Sequence, residues 1–164
     1  MNSTHIHLLL NHFPIIGILI ATIFLLYAVW KKENSIQQIS LFTVFIMALI
    51  AIPVFLTGEP AEESVEKLPG VIESIIEAHE ESAELAFWFM MAAGALSLIS
   101  FALQVVKNTN AKRLVIVSLM LCIITSALMV RTGYLGGQIR HTEIRANGSS
   151  AQTNEQGAEN ENEE

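Results

Sequence analysis

The sequence predicts an all-α integral membrane protein: a four-helix bundle with both termini on the outer side and a short helix outside the membrane in loop 2–3. Three observations lead there. The chain has 164 residues, of which 52% are apolar. Four runs, about 8–30, 36–57, 83–106 and 114–135, are long and apolar enough to cross a bilayer, which takes about 20 residues. The charges separate by loop. Lys31, Lys32, Lys107, Lys112 and Arg113 occupy the two short loops against one acid, Glu33, while segment 59–84 carries nine glutamates and one lysine. Short basic loops stay in the cytoplasm, so the acidic segment and both termini face out. The expected organisation is one domain, 1–146, followed by a disordered acidic tail, 147–164, whose composition buries no core. The net charge is −7, and no nucleic-acid partner is expected.

The first span opens with His5, His7 and His12 ahead of Pro14. Helical spacing puts His5, Leu9, His12 and Ile16 on one stripe, expected to face the core, with His7 off to the side. Pro14 removes a backbone donor and clashes with the carbonyl of Leu10, so the helix kinks there or starts there. No basic residue precedes this run and two lysines follow it, the reverse of a signal peptide, and no cleavage is expected.

The second span ends at Thr57-Gly58, a fitting helix end, and Pro60 suits the first turn of a short helix over 60–68, closed by Pro69-Gly70. The third helix is expected to begin near Val71, well before the membrane. Ile72, Ile76, His79, Ala83, Phe87 and Met90 form its buried stripe; Glu73, Glu77, Glu81 and Glu84 form a solvated face. The fourth span holds the lone cysteine, Cys122, which excludes an internal disulfide. It runs into Arg131-Thr-Gly-Tyr-Leu-Gly-Gly-Gln-Ile-Arg-His141. Arg131, Tyr134, Gln138 and His141 share one side there. Gly133 and Gly137 form a small-xxx-small pair that lets a backbone or flat ligand come close.

Antiparallel spans bring all five histidines to the outer end, joined by Glu59, Arg131 and Tyr134. Histidines from facing helices hold haem iron and other metals. His12 and His79 are the expected ligands, His141 a third ligand or a supporting group; the parts of His5 and His7 stay open. Arg131 would neutralise a carboxylate such as a haem propionate, and Tyr134, Gly133 and Gly137 would complete the cofactor site. The Glu-x-x-His pattern of di-iron bundles, His-Glu-x-x-His, Cys-x-x-Cys and a phosphate-binding glycine loop are all absent.

These segments also resemble a family. His-x-x-Leu-Asn-His-Phe-Pro opens helix 1, Thr57-Gly58 closes helix 2, His-Glu opens helix 3, and Gly-Tyr-Leu-Gly-Gly-x-x-x-His follows helix 4. In that order they resemble the small four-span bacterial membrane proteins of the domain of unknown function 2231 family, over about residues 5–145. The matching positions are His12-Phe13-Pro14, His79, Gly136-Gly137 and His141; Thr142 stands where the family often has glycine. The resemblance implies an inner-membrane protein with redox partners and supplies no reaction.

The residues together lead to an expectation: a multi-pass protein of the bacterial inner membrane whose outward-facing site binds haem b or a transition metal ion. It would exchange electrons with a quinol or a periplasmic electron carrier. The alternative is an accessory or assembly subunit of a membrane complex, its histidines only hydrogen-bonded. Whether it is an enzyme stays open.

Overall fold

The computed structural model describes residues 3–66, 70–141 and 144–145. The expected tail 147–164, Pro69 and Thr142 lie outside them. Six helices follow in order: α1 (Ser3–Leu10), α2 (His12–Lys31), α3 (Asn34–Leu56), α4 (Gly58–Glu66), α5 (Glu73–Val105) and α6 (Ala111–Arg140). There is no strand among the described residues. The α1–α2 unit, α3, α5 and α6 are each long and apolar enough to cross a membrane.

α2, α3, α5 and α6 form a ring in which each helix packs on the next, with α2 also against α6. α1 continues the line of α2 and rests on α4 and on the end of α3. The single non-helical residue between them, Asn11, keeps helical dihedrals, and its N–H donates to the His7 carbonyl at 2.9 Å. Pro14 is therefore carried inside an almost unbroken helix, at the cost of the bond it cannot donate to Leu10. α6 also runs unbroken through Gly136-Gly137 to Arg140.

Lipid gives helices little hydrophobic reason to associate, so contact depends on close approach and on interhelical hydrogen bonds. The buried faces show both devices. Ala21, Ala28, Ala48, Ala51, Ala86, Ala93 and Gly94 line the seams around Ile18, Leu25, Leu41, Val44 and Met90. Thr22 and Ser126 share a hydrogen bond of 3.0 Å, and Ser100 and Ser118 one of 2.8 Å. Gln104 donates to Gln37, which donates to the Ala28 carbonyl at 3.1 Å and ties α2, α3 and α5 at the lysine-bearing end.

The core-facing stripe expected for the first span is corrected. His5, Leu9, His12 and Ile16 are all exposed. The inward face runs His7, Asn11, Pro14, Ile18, Ala21, Leu25 and Ala28, in alternating steps of four and three. Apolar side chains are stable on both sides of a membrane helix, so periodicity does not say which side is inside. Residue size helps: Phe13, Ile16, Ile20 and Phe24 point outward, while Pro14, Ala21 and Ala28 point in beside Ile18 and Leu25.

Candidate functional site

The end of the bundle that carries the acidic segment is held by two histidines on diagonally placed helices. His7 projects from α1, and its Nδ1 lies 3.0 Å from the Val54 carbonyl of α3. At the end of α3 that carbonyl also accepts from the Thr57 N–H at 3.3 Å and from the Thr57 hydroxyl at 3.1 Å, so His7 is a further donor on a helix-end acceptor. Gly58, at the turn, stands beside the ring; a Cβ there would lie 3.7 Å from His7 Cε1.

His79 projects from α5, and its Nδ1 lies 3.1 Å from the Thr132 carbonyl of α6. The Thr132 hydroxyl donates to the Leu128 carbonyl at 3.0 Å, so the Ser82 hydroxyl, 2.8 Å away, donates to it. Gly136 sits one turn above Thr132 with no side chain between it and the ring. A Cβ at Gly136 would stand 3.0 Å from His79 Cε1 and 3.2 Å from Nδ1. The glycine that accommodates an imidazole is thus Gly136. Cβ atoms at Gly133 and Gly137 would meet only the tips of Ile15 and Ile144, each at 3.4 Å.

A carbonyl only accepts, so each Nδ1 carries the proton and donates, and each Nε2 keeps its lone pair. Both rings are partly buried. The structure thus turns His7 and His79 inward at this end of the bundle, whereas His12 is exposed.

The other expected site residues are placed as follows. Arg131 and Tyr134 are exposed on the outer face of α6, Tyr134 by 57%. Such a pair suits the headgroup level, where tyrosine anchors and arginine reaches water. Gly133 and Gly137 are partly buried in α6. His141 caps α6, donating its N–H to the Gly137 carbonyl at 3.0 Å, with its side chain exposed. Among the described residues no three histidine, cysteine or acidic side chains gather as a metal-ligand group, so a triad of His12, His79 and His141 does not form.

Arg145 is a structural residue that the sequence reading missed. Its guanidinium donates to the Gln138 and Ile139 carbonyls at 2.7 and 2.8 Å, and to the Gly70 carbonyl at 2.9 Å. It satisfies helix-end acceptors and fastens the turn before α5 to the end of α6. A cation just past a helix C-terminus was the available signal.

Beside the histidines, α4 and α5 enclose a groove of about 250 Å³ lined by Glu59, Glu62, Glu63, Glu66, Glu73, Glu77 and Glu80 around Ile76. Partial burial, then the charges of Glu80 and Glu59, raise the pKa of Glu62 above the usual carboxylate value. The protonated form is thus favoured in the folded chain. This contribution to stability is present below the ordinary glutamate pKa and is lost as pH rises through the raised one. Amide exchange in α4, corrected for intrinsic rates, should therefore slow on acidification from pH 7 to pH 4 (roughly the glutamate range). Glu62→Gln should slow it at pH 7 and flatten the dependence; an unchanged profile in that variant would reject Glu62 as the source.

The family described as "Predicted membrane protein (DUF2231)" has a sequence model that matches residues 3–143. No curated protein and no solved structure matches the chain.

Proposed function

Since the chain belongs to the DUF2231 family of predicted membrane proteins, and that description assigns no chemistry, we propose from the site that it binds a first-row transition metal between His7 and His79. One observation carries the reading. Metal-ligating histidines regularly donate the second ring N–H to a carbonyl, which sets the tautomer and leaves the other nitrogen for the metal. Both imidazoles here have that arrangement, on Val54 and Thr132. Neutral imidazole suits copper, zinc, iron and nickel. The adjoining glutamates add negative potential that concentrates cations at this end.

The basic short loops support an outward orientation for this end and both termini, on the periplasmic side of a bacterial inner membrane. His7 and His79 would hold the ion; Ser82, Thr132 and Gly136 would position His79. A bound metal ion supplies Lewis-acid or one-electron chemistry at the outer surface.

A second reading is haem b, in electron exchange with a quinol or a periplasmic carrier. Its support is that His7 and His79 would each offer a neutral imidazole nitrogen to the iron, which would supply one-electron chemistry. The seven glutamates count against it, since they oppose anionic propionates, and the exposed Arg131 faces away from the pair.

The deciding experiment is elemental analysis and an absorption spectrum of the purified chain in detergent. Stoichiometric metal without a Soret band supports the ion, and a Soret band supports haem. Either should vanish in His7→Ala and His79→Ala and persist in His12→Ala. If the native chain binds neither after metal and haem supply, the histidines are interhelical hydrogen-bonding groups, and an accessory or assembly subunit is the better reading.

A further inference from the structure

At the opposite end, a groove of about 460 Å³ opens between α3 and α5, lined by Ser35, Gln38, Ile39, Phe42 and Thr43 with Phe101. Its size is within the roughly 300–1,000 Å³ of small-molecule sites. Ser35, Gln38, Ile39 and Phe42 follow helical spacing and share one face of α3. The groove is polar at its loop end and apolar below. Phe42 and Phe101 meet at 5.7 Å between ring centroids. The Thr43 hydroxyl is spent on the Ile39 carbonyl at 2.9 Å, so it adds no donor there. Behind the groove, the Gln104–Gln37 hydrogen bond holds the walls together.

Basic side chains gather at this end of the bundle. Lys31 ends α2 and Lys32 follows it, two residues before α3 begins; Lys107 lies two residues past the end of α5, and all three are exposed. Lys112 and Arg113 lie in the first turn of α6. Lys31 Nζ sits 4.4 Å from the Trp30 ring centroid, and Trp30 is 73% exposed, as a headgroup-level anchor would be. Glu33 is the one acid in these two loops.

We propose that this groove holds one anionic phospholipid from the leaflet at the lysine-bearing end. An acyl chain lies along Ile39, Phe42 and Phe101. Ser35 and Gln38 meet the glycerol and headgroup, and the lysines neutralise the phosphate and the headgroup charge. Charge decides between occupants of similar shape: basic residues beside a membrane attract anionic lipids, whereas a neutral quinone or a zwitterionic lipid gains little from them.

Native mass spectrometry of the full chain, released from micelles containing equal phosphatidylglycerol and phosphatidylcholine, tests this. The native chain should retain one phosphatidylglycerol with at least about tenfold preference. Thr43→Trp or Ile39→Trp, each filling the groove from α3, should abolish retention with helicity unchanged; two variants guard against one misfolding. The combined Lys31→Gln, Lys32→Gln and Lys107→Gln chain should still retain lipid but without preference. Equal retention of the two lipids by the native chain overturns the proposal. So does undiminished retention in both tryptophan variants, or the mass of a quinone or a second chain in place of the lipid.

Discussion

Gly94→Ala should be the most damaging small substitution in the bundle, lowering stability by about 1–3 kcal/mol, as overpacking of a tight core does. The α3–α5 seam is tight at this residue. An added Cβ would fall inside contact distance of the Ala48 Cβ, and only 3.8 Å from Phe45 Cα and 3.9 Å from Ala48 Cα. None of these atoms can rotate away, so the two helices must separate. Alanine's better helix propensity returns at most about 1 kcal/mol. Gly17 makes the control. A Cβ there meets Met47 Sδ and Cγ, which belong to a flexible side chain with other rotamers, so Gly17→Ala should be close to neutral. Unfolding in one detergent compares the two. A Gly94→Ala protein as stable as the native one would show that the seam is not as close as described.

Gly136→Ala should separate metal binding from folding. The new methyl would press on Cε1 and Nδ1 of His79, at 3.0 and 3.2 Å, and displace the ring from the Thr132 carbonyl. Loss of such an orienting bond typically weakens a metal site about 10–100-fold. Helix content should not fall, because alanine is the better helix former. Gly133→Ala and Gly137→Ala meet only flexible isoleucine tips, and affinity should be retained in both. His79→Ala should lose binding altogether. Titration of zinc or copper into the stripped proteins, with circular dichroism on the same samples, reads both quantities. Native affinity in Gly136→Ala would mean that the Thr132 bond does not orient the ligand.

The spans were legible because the bilayer imposes a length and a composition, and each appears as an unbroken apolar run. α6 extends beyond its apolar run at both ends, to Ala111 and Arg140, since polar ends outside lipid remain helical, and α5 begins at Glu73, close to the expected Val71. His79 was legible too. Its stripe rises from an acidic helix, Ile76 is buried beside it, and the glutamates mark the wet side, although the expected stripe is corrected at Ile72, which is exposed, and the fully buried line passes through Ser82 and Ala86. His7 was not. α1 and α2 are apolar around most of their circumference, and the stripe through His12 looked as good as the one through His7. The sizes of Ala21, Ala28, Phe13 and Phe24 held the answer.

From its sequence alone this chain is committed to the membrane, to four crossings, to an acidic end and a basic end, and to histidines at the acidic one. Those properties follow from transfer of side chains between water and lipid, which each segment settles for itself. Which histidines meet depended on the rotation of each helix about its axis. That rotation is set by close approach at Ala48 and Gly94, and by the imidazole hydrogen bonds to the Val54 and Thr132 carbonyls. Such contacts join residues tens of positions apart, and they exist only once the helices are packed.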